Sequence, residues 1–221
     1  MLISKRLKTI GDLISDNDIV VDVGADHGLL ETYLISKNKN ISITAVENKI
    51  GPYRILEENL KNYKNVHLSL SNGIECVDKH TKTVVIAGMG GLNIVSILSK
   101  FPEKTKYLNK IIIDAHRDIS IVRRSIISYG FNISKEIIVQ ENKKFYVVIE
   151  FVKAVQKEEY SDDTLDFGYK LYKDKLWIKY KDYLIKQNNK TIEKIQDLES
   201  MQDKILYLKK LNERLENYGK N

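Results

Sequence analysis

The sequence predicts an α/β domain built around a mostly parallel sheet, with an antiparallel helical hairpin appended to it. Three observations lead there. Seven short runs rich in β-branched residues recur between Ile19 and Phe151. Amphipathic stretches of helical length separate most of them, and from about Gln156 the strand signals stop and two charged helical patterns take over.

In chain order the strands are expected at Ile19 to Val23, Ile41 to Val46, Val66 to Leu70, Thr83 to Ala87, Lys110 to Asp114, Ile133 to Val139 and Phe145 to Phe151. None contains Pro or an internal Gly, and several are apolar throughout, as strands covered by helices on both faces are. Helical patterns run over Pro52 to Asn62, Leu92 to Lys100 and Ser120 to Tyr129, and Pro52 suits a first helical turn. Only "QENKK" separates the last two strands, too short for a helical crossover, so they are expected as an antiparallel hairpin at the sheet edge. In the final region Tyr169, Tyr172, Leu176, Tyr180 and Tyr183 form one helical stripe, and Met201, Ile205, Leu208, Leu211 and Leu215 form another. The polar stretch "KQNNKT", Lys186 to Thr191, reads as the turn between them. Two domains are expected, residues 1–155 and 156–221.

With 221 residues and 43% apolar content the chain can bury a full core. No apolar run approaches the roughly 20 residues a membrane span needs, and the start lacks the pattern of a secretory signal, so a cytoplasmic protein is expected. One cysteine, Cys76, excludes an internal disulfide and reads as inert filler, and four scattered histidines offer no zinc spacing, so no metal is expected. The net charge of +6 suits a phosphate-bearing partner. Between Lys170 and Lys190 seven lysines face two aspartates amid tyrosines and Trp177, the densest basic and aromatic mixture in the chain.

Ligands of an open α/β sheet bind beyond the carboxyl ends of its strands. The first strand ends in Asp22-Val-Gly24-Ala-Asp26-His27-Gly28, where a glycine permits close backbone approach and the following helix offers amides. The second ends in Glu47, about 20 residues on, where an acid can accept from ribose hydroxyls. Asn72-Gly73 and Ala87-Gly88-Met89-Gly90-Gly91 follow the next two. The glycine spacing is not that of a dinucleotide site, and Asp26 would face a pyrophosphate with like charge. S-adenosylmethionine has a cationic sulfonium and an ammonium that welcome carboxylates, so the loop favours it over a dinucleotide.

The succession "SKRLKTI", "DVGADHG", "AVENKIGP", "SNGIE", "VIAGMGG" and "ENKKFYVVI", followed by a helical hairpin, resembles the bacterial tRNA (adenine(22)-N(1))-methyltransferases of the TrmK type. The likeness is dense from Ser4 to about Phe151 and looser beyond. It implies a class I S-adenosylmethionine-dependent methyltransferase fold, Rossmann-like with a seven-stranded sheet, and a C-terminal coiled-coil hairpin. It implies that Asp22, Gly24 and the loop through Asp26 and His27 hold the methionine part of the cofactor, that Glu47 with Asn48 takes the ribose, and that Asn72 with Gly73 takes the adenine edge. Ala87, Gly88 and Met89 would line the entry of the target base. Asn72 stands where the family commonly has Asp, and "IIDAHRD" lacks the Pro-Asn expected after the fifth strand.

The chemistry asks little of a base, because adenine N1 keeps an in-plane lone pair and attack on the methyl group needs positioning above all. The flipped base needs an acceptor for its N6 amino group, and the methylated ring becomes cationic; Asp26 is the leading candidate for both tasks, with His27 beside it, and a main-chain carbonyl in Ala87 to Gly90 is the other acceptor. The partner is then tRNA, with Lys173, Lys179, Lys186 and Arg117 as its phosphate contacts, no membrane or metal, and a monomer as the favoured state. Plainer readings stand alongside. Asp22 reads first as structural, orienting loop amides, Asp26 could simply cap a helix, the glycines after the fourth strand could be a tight turn, His116 and Arg117 could be ordinary surface, and the tyrosine stripe reads first as hairpin core. A small-molecule or other RNA methyltransferase, and a catalytically silent RNA-binding protein, are the rival functions.

Overall fold

The computed structural model describes residues 3–37 and 40–220. It divides into two compact units, one running to Glu158 and one from Glu159. The first unit holds α1 (Lys5–Asp12), β1 (Ile19–Val23), α2 (Leu29–Ser36), β2 (Ser42–Glu47), α3 (Ile50–Leu60), β3 (Val66–Leu70), β4 (Thr83–Met89), α4 (Gly91–Ser99), α5 (Pro102–Thr105), β5 (Lys110–Ala115), α6 (Ile119–Ser128), β6 (Phe131–Glu141) and β7 (Lys144–Lys153). Its sheet has the order β3-β2-β1-β4-β5-β7-β6. The first five strands pair in parallel, and β7 lies antiparallel between β5 and β6.

Burial explains why the central strands are apolar on both faces. Val84, Val85 and Ile86 of β4 and Ile111, Ile112 and Ile113 of β5 are all fully buried. On one face α1 and α2 pack Ile10, Leu30 and Leu34 into a cluster with Val20, Val85, Ile112 and Val148, and α3 packs Leu56 and Leu60 against Ala25 and Ala45. The other face carries α4 and α6, which touch each other and β4 and β6. Beneath α6, Arg123 is 1% exposed and makes a two-pronged pair with Glu136 of β6, Nε to Oε1 at 2.8 Å and NH2 to Oε2 at 2.9 Å. Arg123 is therefore a buried structural cation.

The edge hairpin is tighter than the sequence implied. Glu141 pairs with Lys144 and only Asn142 and Lys143 make the turn, both left-handed at φ 49° and 63°, so most of "QENKK" belongs to the ladder. β4 also runs two residues past the expected end, to Met89, through an irregularity in its pairing between Ala87 and Met89.

The second unit contains α7 (Asp162–Phe167), a single 3-10 turn at Leu171–Lys173, α8 (Trp177–Ile195), another at Glu199–Met201, and α9 (Gln202–Asn217). Two expectations fail here. Lys186 to Thr191 is not the turn: α8 continues through it to Ile195 and the chain reverses between Gln196 and Met201. The asparagines stay helical because their amides find partners on α9, Asn188 donating to Asn212 at 2.7 Å and Asn212 donating to Asn189 at 2.9 Å. The tyrosine stripe is not one helix either. Lys170 is left-handed at φ 57°, Asp174 accepts from the Leu176 amide, and the helix starts only at Trp177. Phe167, Tyr172, Trp177 and Tyr218 instead meet edge to face as a small aromatic core, which Tyr180 joins through Trp177. Arg214 of α9 ties in α7 through Asp163 and Asp166.

Candidate active site

β1 and β4 are neighbours in the middle of the sheet, and the chain leaves their carboxyl ends in different directions, which opens the crevice expected of such a fold. The loop after β1 is held from β2. The amides of Gly24 and Ala25 donate to the Val46 carbonyl at 2.9 and 3.2 Å, and the Asp26 amide donates to Glu47 Oε1 at 2.9 Å. Gly24 is left-handed at φ 76°, a conformation that favours glycine, and the Met89 Cε lies 2.5 Å from where a Cβ would stand.

Two adjoining clefts share Gly24, Glu47 and Met89. The first, of 340 Å³, is lined by Glu47, Asn48, Asn72, Gly73 and Met89. The second, of 410 Å³, is lined by Asp22, Asp26, His27, Ala87, Gly88, Met89, Arg6 and His116. The sites expected after four different strands are thus gathered around one crevice. Asp26 is left-handed at φ 51° with its side chain 74% exposed, and His27 Nε2 lies 3.5 Å from its carboxylate. Neither caps α2, whose N-cap is Gly28 without a side-chain bond, so the plain capping role is excluded. Arg117 lines neither cleft; it is exposed, 3.7 Å from Asp118, with its Nε beside Gly90. Lys173, Lys179 and Lys186 are exposed on the second unit.

Beneath the loop, Asp22 of β1 and Glu31 of α2 are buried carboxyls whose charges oppose each other, and neither Glu31 oxygen has a hydrogen-bond partner among the described residues. Burial pushes Asp22 up to about 7, with the Glu47 charge adding to the rise, and burial together with the Asp22 charge raises Glu31 well above the usual range. The pair therefore keeps a proton near neutral pH. Glu31 was not singled out from the sequence, although an acid within the run "LLETYL", between Leu30 and Leu34, was the available signal. Arg6, Asp114 and Tyr146, from α1, β5 and β7, were also missed; they gather around His116 in the turn after β5.

The donor set fits S-adenosylmethionine. The second cleft carries Asp22, Asp26 and Glu47 for a cationic amino-acid end, and the first offers the free Glu47 oxygen and the Asn72 amide for ribose and adenine. Among the described residues no group of His, Cys, Asp or Glu is placed to hold a metal ion, and no helix is long and apolar enough to cross a membrane.

Comparison with known proteins agrees with this geometry. Residues 3–149 match the model of a methyltransferase domain. The tRNA (adenine(22)-N(1))-methyltransferase of Bacillus subtilis is 26% identical over 170 residues, 75% of this chain and 71% of that protein. The solved structure of M. capricolum TrmK in complex with S-adenosyl-homocysteine superposes with a TM-score of 0.85 at 23% identity, covering 99% of this chain and 98% of that one. The B. subtilis M1A22 tRNA methyltransferase TrmK superposes with a TM-score of 0.83 at 21% identity, with 98% of each chain covered. The chain belongs to the methyltransferase domain family.

Proposed function

We propose that this protein is an S-adenosylmethionine-dependent methyltransferase that modifies N1 of adenosine 22 in tRNA. The observation that carries the reading is the pair of clefts sharing Gly24, Glu47 and Met89: one suits a nucleoside, and the other opens beside it under Asp26 and Gly88. The name of the B. subtilis relative supports the substrate and the position.

When bound, the cofactor supplies an electrophilic methyl group. The chain's own residues do the rest. Glu47 holds the loop through the Asp26 amide and keeps its second oxygen for a ribose hydroxyl. Asn72 offers an amide to the adenine edge in place of a carboxylate. Met89 lies against Gly24 at the junction of the clefts, held by Asn93, whose Nδ2 is 3.3 Å from its sulfur. The exposed Asp26 carboxylate accepts from the N6 amino group of the target base, turns N1 toward the methyl group, and stabilises the charge the ring acquires. His27 stays beside it as its ring partner.

Residues 1–155 perform the transfer, and residues 156–221 hold the tRNA through the exposed lysines of the 3-10 turn and α8. A monomer suffices, because both clefts are formed by one unit of one chain, and a tRNA substrate places the work in the cytoplasm. The test is methyl transfer from labelled S-adenosylmethionine to unmodified bulk tRNA, followed by mass spectrometry of the nucleosides. One-methyladenosine is the expected product. Cofactor binding without any methylated adenosine would overturn the reading.

A further inference from the structure

Arg6 takes part in none of these steps, yet it is placed with care. Its NH1 donates to Asp114 Oδ2 at 2.6 Å and to His116 Nε2 at 2.9 Å, and its guanidinium carbon lies 5.0 Å from the centre of the Tyr146 ring. His116 stands edge-on to the same ring, with 5.8 Å between centres. Because a guanidinium can only donate, His116 Nε2 is the acceptor of this bond, which leaves the ring hydrogen on Nδ1. Asp114 is fully buried, so the guanidinium cannot swing away without stranding a buried carboxyl.

A purely structural arginine looks different in this same molecule. Arg123 spends Nε and NH2 on both oxygens of Glu136 and is 1% exposed. Arg6 spends one nitrogen. Its Nε is buried without a partner, its NH2 has no protein partner among the described residues, and the side chain is 21% exposed where it lines the second cleft. It lies over Gly88, with NH1 3.7 Å from where a Cβ would stand, at the expected entry of the base. Charge selects the ligand. The acidic side chains Asp26 and Glu47 lining that cleft repel an anion, and Arg6 is the one Lys or Arg among its described lining residues. The base cannot be the target of that charge, since N1 methylation makes the ring cationic and a nearby guanidinium would oppose it. A phosphate of the same nucleotide suits the unspent edge of the fork.

We propose that Arg6 anchors a backbone phosphate of the nucleotide whose base enters the cleft, and that Asp114 and His116 are positioning residues that aim it. The proposal rests on the RNA substrate proposed above. It is tested with Arg6→Gln, which loses the charge but keeps a donor for Asp114, and Arg6→Lys, which keeps the charge but loses the fork. Both are made in the full chain and assayed with tRNA at several salt concentrations. Arg6→Gln should bind S-adenosylmethionine within about twofold of wild type, yet lose on the order of 30-fold or more in kcat/KM for tRNA, mostly through KM. Its log-log salt dependence of tRNA binding should flatten by about 0.7 to 0.9 unit, the share of one phosphate contact. Arg6→Lys should restore the slope and only part of the rate. Equal losses in cofactor affinity and melting temperature with an unchanged salt slope, in either variant, would make Arg6 a staple between α1 and β5 and overturn the proposal. If wild type methylates tRNA and Arg6→Gln matches its affinity and slope, this proposal alone falls; if wild type does not methylate tRNA, both readings fall.

Discussion

Glu47 accepts from the Asp26 amide through one oxygen and lines both clefts, so its removal frees the loop as well as a ligand contact. Glu47→Ala should weaken cofactor binding, measured by calorimetry, by about 2 to 4 kcal/mol, as for loss of charge-assisted hydrogen bonds in a buried site. Glu47→Gln should cost less, because the amide oxygen still accepts from Asp26. Asp26→Asn is a clean change, since Asn tolerates the left-handed backbone and the Asp26 amide is untouched. Turnover should fall about a hundredfold while cofactor affinity falls far less; an equal loss in both would move the carboxylate to the methionine ammonium. The buried Asp22 and Glu31 pair gives a pH signature. Their folded pKa values lie above the unfolded ones, 3.8 for Asp22, so the stability of the protonated pair is fully present at low pH and is lost as pH rises through about 7. The melting temperature of the cofactor-free protein should therefore decline between roughly pH 4 and 7, and Glu31→Gln should flatten that decline. Identical pH profiles for the two proteins would remove the shared proton. Strand-end acids and glycines were legible in the sequence because their chemistry sits next to a strand pattern. Glu31 and Arg6 were not, because their meaning comes from Asp22 and Asp114, partners on other elements.

Among elements, the strands could be read because apolar runs bounded by polar turns leave few alternatives; Ile19–Val23 and Val66–Leu70 match residue for residue. The reversal of the hairpin could not, because "KQNNKT" carries the composition of a turn and is kept helical by amides on α9, 24 residues away in sequence for Asn188 and Asn212. Moving the turn to Gln196–Met201 lengthens α8 to 19 residues and leaves Lys179 and Lys186, two turns apart, exposed along it, with Lys173 on the 3-10 turn before it. The aromatic residues there serve mainly as core, so phosphate attraction is the main role left to this face. Replacing Lys173, Lys179 and Lys186 together by Ala should weaken tRNA binding and lower its log-log salt slope by about two to three units, while cofactor affinity is unchanged. If affinity and slope both survive in the triple variant, the RNA path runs over the first unit alone.

At the level of the whole molecule, the strand order makes the site. Placing β1 beside β4 brings together loops that are more than sixty residues apart in sequence, from Gly24 to Met89, and joins a nucleoside cleft to an open one. The general class of this arrangement was readable from strand-end residues; the target base was not, and came from the likeness to a tRNA-modifying family. The most direct test compares two transcripts of one tRNA, carrying adenosine or guanosine at position 22, as substrates for the full-length protein and S-adenosylmethionine. One-methyladenosine should form in the first transcript only. Equal methylation of both transcripts, or of neither by protein that binds the cofactor, would contradict the account.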